Sequence, residues 1–193
     1  MNTRGHTGVS LLLFSPVLLI MMLLELYMFA FIAAVSLPAL ARLMIPDRDQ
    51  NLPFVRHRKH THTLWAAPIV GLLFAPVFYL SHPVMTTGLS LMMSVLDASQ
   101  LAPFISAVLT EATATNALVF AAFGFVLATY DTLAHVLADS LTFFRVQPLY
   151  PFRETRRGLG LFGWDNTIAN SGAFILGSLT FALALIIPLY LTV

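Results

Sequence analysis

The chain has 193 residues, 58% of them hydrophobic and only 10% charged, with a formal net charge of +1. A soluble domain carries about 25% charged residues, so a soluble fold is excluded, and the near-neutral balance offers no basic surface for nucleic acid. There is no cysteine, which excludes disulfides and thiolate metal sites.

The stretch from Val9 to Ala41 is apolar apart from Glu25. As one helix it would be roughly 50 Å long, against a hydrocarbon core of about 30 Å. Two short spans fit better, at 9–24 and 26–43, with Glu25 near the turn. A third span covers 64–80, where Pro68 and Pro76 kink the helix or are tolerated inside a bundle. A fourth covers 116–142 and a fifth 169–191. The stretch 82–115 is semi-polar, with Gly88, Asp97 and Pro103, and reads as an external loop with one or two short interfacial helices. On that reading Asp97 and Glu111 are solvated loop charges, and His82 beside Pro83 is structural. No charged segment, short apolar core and cleavage site stand in the order of a removable signal, so the first helix serves as its own insertion signal. The expected fold is all-α: a polytopic transmembrane helical bundle of about five spans, forming one membrane-embedded domain over residues 1–193.

The cations orient this bundle. The ten are Arg4, Arg42, Arg48, Arg56, Arg58, Lys59, Arg145, Arg153, Arg156 and Arg157. With five spans, all of them fall on one side, which the positive-inside rule makes cytoplasmic. The other side carries Glu25, His82, Asp97 and Glu111 but no cation. The amino terminus is then inside, and the expected location is the plasma or inner membrane.

Four polar segments meet on the cation-bearing side. They are "RGHTG" with His6, "IPDRDQ" with Asp47 and Asp49, "HRKHTHT" with His57, His60 and His62, and "YDTLAHVLADSLT" with Asp131, His135 and Asp139. His135 and Asp139 are four apart and share a helix face. Ionisable groups inside a span are costly and need partners or water. Imidazoles and carboxylates together are the ligands of zinc and other divalent first-row ions. His6, Asp47, His62, His135 and Asp139 are therefore candidate ligands drawn from distant segments, in number enough for one ion or two. The ordinary reading of Asp131, His135 and Asp139 is a polar seam hydrogen-bonded to neighbouring helices. His6 could sit at the interface, Asp47 after Pro46 could be a turn residue, and Arg56, Arg58 and Lys59 could hold lipid headgroups.

The four segments, in this order, resemble the YdjM-like family of membrane-bound, metal-dependent hydrolases, called LexA-binding inner-membrane hydrolases in some bacteria. That pattern has a Gly-His or Thr-His near the start, a Leu-Pro-Asp-Ile-Asp segment, a His-Arg-Gly-x-Thr-His-Ser segment and a His-x-x-x-Asp-x-x-Thr segment. Here these read "GH" at 5–6, "IPDRD" at 45–49, "HRKHTHT" at 57–63 and "HVLADSLT" at 135–142, followed by "RVQPLYPF" at 145–152. "DNTIANSGAFILG" at 165–177 matches loosely. The resemblance implies His6, Asp47, Asp49, His57, His62, His135 and Asp139 as ligand positions. Lys59, Arg145 and Asp131 depart from the pattern and add charge beside it. A likeness to helical zinc phospholipases C and nucleases is analogy of fold only.

The implied activity is metal-assisted hydrolysis. A divalent ion, zinc by its ligand chemistry, would activate water and polarise an ester or phosphoryl oxygen. Asp47 or Asp49, whichever is not a tight ligand, would take the proton. Arg58 would bind a phosphate or carboxylate, with Lys59 and Arg145 adding charge. Partners are expected to be membrane lipids, with a lipid-like or lipid-linked phosphoester as substrate and no nucleic acid. The competing reading is a non-enzymatic membrane protein, such as a metal-ion transporter or a scaffold. A transporter would hold its ligands near the midplane and often carries an internal repeat; none is visible here. A protease of the His-Glu-x-x-His type is ranked last, because that motif is missing.

Overall fold

The computed structural model describes residues 1–51, 60–96 and 102–191, apart from the side chains of 49–51, 95 and 96. Six α-helices follow in order: α1 Thr3–Leu23, α2 Tyr27–Leu43, α3 Ala66–Leu96, α4 Ala102–Ala114, α5 Ala117–Ser140 and α6 Thr167–Leu191. Five of them are long and apolar enough to cross a membrane, and α4 is not. Among the described residues there is no strand, so the expected all-α bundle of five spans is what the chain forms.

The first two spans form the expected hairpin. Glu25 stands at the turn with φ 58°, in the left-handed region. The N–H of Leu26 reaches back to the carbonyl of Met21 and that of Glu25 to Met22. This pair of bonds closes the end of α1 as a Schellman motif, with Glu where glycine is usual. After α2, Met44 again takes a left-handed conformation. The chain then enters a short 3-10 turn, Ile45–Asn51, which carries Asp47.

Two expectations about 82–115 need correction. The third span does not end at residue 80: α3 runs 31 residues, through Pro76 and Pro83, to Leu96. The polar side chains that suggested a loop satisfy themselves on the helix. Thr86 donates to the carbonyls of His82 and Pro83, Ser90 to Thr86 and Ser94 to Leu91. Nor is Glu111 a solvated charge. Its carboxylate accepts from the N–H groups of Tyr27 and Met28 at 3.3 and 2.9 Å, capping the start of α2 from α4. His82 is structural as expected, its Nε2–H shared between the carbonyls of Ala112 and Thr115. Asp97 lies outside the described residues.

Helix α1 lies at the centre and packs against α6, α2 and α5, while α3 packs against α5 and α4. The approach of α1 to α6 depends on missing side chains. A Cβ on Gly8 would collide with the backbone of Ala173, and one on Gly177 with the backbone of Gly8. Small residues at such contacts let membrane helices come together closely. Between α5 and α6, residues 141–166 fold back over the end of the bundle through the isolated bridges Thr142–Phe162 and Val146–Arg157.

Candidate metal centre

Four element ends converge on one face. His6 lies in the first turns of α1, Asp47 just after α2, His62 just before α3, and His135 and Asp139 in the last turns of α5. The start of α6 supports them from the side. Asn170 is buried, accepts the N–H of Asn2 at 3.0 Å and donates to the carbonyls of Trp164 and Asn166. The Asn170 side chain also fills the space where a Cβ on Gly5 would stand. The position of His6 is thus set by α6, through Asn170 and the Gly8–Gly177 approach. At the end of α5, Thr142 bonds the carbonyl of Asp139 with both its N–H and its hydroxyl, at 3.1 and 2.8 Å. That contact gives the Thr of "HVLADSLT" its role: it closes the helix turn that carries Asp139.

Asp47, His62, His135 and Asp139 each offer one ligand atom, and these atoms all lie within 4.8 Å of one another. His62 Nε2 is 3.2 Å from both Asp47 Oδ1 and Asp139 Oδ2, and His135 Nε2 is 3.5 Å from Asp47 Oδ1. Tetrahedral ligands about 2.0 Å from zinc sit about 3.3 Å from each other, so these spacings suit atoms sharing an ion. His135 Nε2 and Asp139 Oδ2 are buried and make no well-aligned hydrogen bond among the described residues. Buried polar atoms are rarely left so, and here they lie within 4.8 Å of each other. Two imidazole nitrogens and two carboxylate oxygens are all donors that metal ions accept. The cluster can hold a metal ion.

His6 stands beside this group rather than within it. Its Nε2 is 3.2 Å from Asp139 Oδ1, and its ring stacks on His135 with centroids 3.8 Å apart and planes 4° from parallel. The Met1 ammonium also reaches Asp139 Oδ1, at 2.7 Å. Around His62, Thr61 Oγ1 is 3.1 Å from Nδ1. With Nδ1 protonated and donating there, Nε2 keeps its lone pair for the centre. Burial works against the His62 imidazolium, but the carboxylates of Asp139 and Asp47 outweigh it and hold its pKa above the ordinary value of 6.5.

Of the seven ligand positions the motifs imply, five are brought together: His6, Asp47, His62, His135 and Asp139. His57 and Arg58 lie outside the described residues, as do Arg56, Lys59 and the Asp49 side chain. Asp131 does not join the centre, and its carboxylate instead accepts from Ser10 Oγ at 2.7 Å. Its neighbour Tyr130 donates to the Ser10 carbonyl, also at 2.7 Å. His60 is exposed and meets Tyr150 edge to face. The supporting residues Asn170, Gly5, Gly8 and Gly177 lie in the quoted segments "RGHTG" and "DNTIANSGAFILG", but sequence reasoning gave them no role. The available signal was the small residues near the starts of α1 and α6.

The family model described as YdjM inner membrane protein matches residues 1–193, the whole chain. No curated protein and no solved structure matches it.

Proposed function

We propose that this chain, which belongs to the YdjM inner membrane protein family, is a membrane-bound metal-dependent hydrolase acting at the cytoplasmic headgroup level. The observation that carries this reading is the four-residue cluster where element ends meet, with His62, His135 and Asp139 buried and Asp47 partly so. Asp47, His62, His135 and Asp139 hold the ion, with zinc favoured by the mixed imidazole and carboxylate set. His6, His57 and Asp49 are the remaining donors and would serve a second ion. When bound, the ion supplies Lewis-acid polarisation of an ester or phosphoryl oxygen and a water of lowered pKa.

The chain's own residues divide the other tasks. Asp139 is only 1% exposed, whereas Asp47 is 19% exposed and marks the side from which water and substrate arrive. Asp47 or Asp49, whichever is not held tightly, takes the proton of the attacking water. Arg58 clamps a phosphate or carboxylate of the substrate. A position at the ends of the spans favours a lipid or lipid-linked phosphoester. It also favours an enzyme over a transporter, whose ligands would lie near the midplane. The cation-bearing end is taken as cytoplasmic by the positive-inside rule.

The test is metal analysis of detergent-purified protein beside His62→Ala and Asp139→Ala, with hydrolysis of phosphoester lipids measured in parallel. Stoichiometric metal and hydrolysis in the wild type, both lost in folded variants, is the expected result. Only trace metal in the wild type after growth in several metal-supplemented media would overturn the reading.

A further inference from the structure

A second feature opens along α1, lined by none of the candidate metal ligands. Helices α2 and α6 flank α1 and leave a groove of about 1160 Å³ between them. Arg4 and Arg42 line it, with Ser171. These three lie toward the start of α1, the end of α2 and the start of α6, which is the cation-bearing end of the bundle. Deeper in, its walls are Leu11, Ala34, Phe181 and Leu185.

Both arginines are exposed, and neither makes an ion pair or side-chain hydrogen bond with a described residue. From Ser171 to Leu185 the α6 wall descends about 21 Å at about 1.5 Å per residue. One leaflet of the hydrocarbon core is about 15 Å deep, half of about 30 Å. The groove is therefore long enough for a whole acyl chain, with two guanidiniums where the headgroup would sit.

We propose that this groove is a binding site for one anionic phospholipid. Its phosphate would be held by Arg4 and Arg42 and its acyl chain would lie along α1 between α2 and α6. A guanidinium binds phosphate oxygens through paired N–H donors. Two unpaired cations favour a lipid of net negative charge over a zwitterionic one, whose ammonium offsets the phosphate. Basic pockets between transmembrane helices recognise anionic headgroups in this way. The site is separate from the metal cluster and does not depend on its chemistry.

The experiment is native mass spectrometry of the full chain in detergent, titrated with phosphatidylglycerol or phosphatidylcholine of matched chains. The wild type is expected to bind one phosphatidylglycerol in preference to phosphatidylcholine. Each juxtamembrane cation is worth about fivefold in such binding, so the R4Q/R42Q double variant should lose about 30-fold. R153Q/R156Q, which removes two exposed cations elsewhere on the same end, should lose nothing. Ala182→Trp, which fills the groove wall, should exclude the lipid with both arginines intact. If that variant fails to fold, the exposed arginine pair decides alone. Equal binding by R4Q/R42Q and wild type, or an equal loss in R153Q/R156Q, overturns the site. So does displacement of the lipid by inorganic phosphate alone, or a dimer that closes the groove with a second copy.

Discussion

Asp139→Asn removes one of the two carboxylates in the metal cluster while keeping the side chain's shape. Asp139 is 1% exposed, with Oδ1 2.7 Å from the Met1 ammonium and 3.2 Å from His6, and Oδ2 3.2 Å from His62. Loss of a group that merely supports a metal ligand costs about 10–100-fold in affinity. Loss of one of four ligands is expected to cost at least about 100-fold. At a zinc concentration about 100 times the wild-type Kd, binding stabilises the folded state by about 2.7 kcal/mol. That same concentration only equals the variant's Kd, and the stabilisation falls to about 0.4 kcal/mol. With about 2–4 °C per kcal/mol for a chain of this size, zinc should raise the wild-type melting temperature by about 5–11 °C and the variant's by about 1–2 °C. The assay is thermal unfolding in detergent, with and without zinc. Asp131→Asn is the control: this carboxylate lies on the same helix, bonded to Ser10 and outside the cluster. It should keep the full zinc response. A full response in Asp139→Asn, or an equal loss in Asp131→Asn, refutes the assignment.

The response to pH should differ between the metal-free and zinc-loaded protein. The His62 pKa is raised above 6.5 in the folded state. Its stabilising contribution is therefore complete below about 6.5 and lost as pH rises through the raised value. Only the neutral ring binds metal, so the zinc-induced gain should grow over that same rise; parallel trends in the two melting curves would count against His62 as a ligand. Gly8→Ala should overpack the α1–α6 contact and cost about 1–3 kcal/mol. Gly172→Ala, whose Cβ meets nothing within 4 Å, should leave melting unchanged or slightly raised, and an equal drop in both would remove the packing explanation. Glu111→Ala should cost about 1 kcal/mol through loss of the α2 cap and leave the zinc response intact, which a combined melting and zinc titration checks. Because the chain has no cysteine, Thr113→Cys and Thr155→Cys can report orientation. An impermeant maleimide on intact cells should label the first and not the second, and the reverse pattern would invert the proposed topology.

The residues of the candidate metal site were legible for an energetic reason. A carboxylate or imidazole in an apolar span is expensive, so Asp139 and His135 stand out against their surroundings in a way no surface pair would. The cations then fixed which ends face which, and with them which polar segments could meet. Legibility failed where polarity was misleading or absent. Thr86, Ser90 and Ser94 look like loop residues until their hydroxyls are seen bonded to the carbonyls one turn back. Glu111 could be recognised as a cap only once α4 was placed against the start of α2. Gly5, Gly8 and Gly177 carry no hydropathic signal, yet they decide how closely α6 approaches α1 and hence where His6 stands.

The division follows from how the centre is built. The candidate ligands announce themselves because burying them is costly, whereas the elements that bring them together are held by contacts between small or self-satisfied residues. The stretch "HRKHTHT" contains both kinds. His62 reaches the cluster with 0% exposure, while His60, two residues away, is exposed against Tyr150. The two share chemistry and neighbourhood in the chain, and only the turn into α3 separates them. Thr63 makes that turn, donating to the His60 carbonyl at 3.0 Å and accepting the N–H of Ala66 at 3.2 Å. The Thr63 hydroxyl thus closes the turn that leaves His60 exposed and carries His62 into the candidate site.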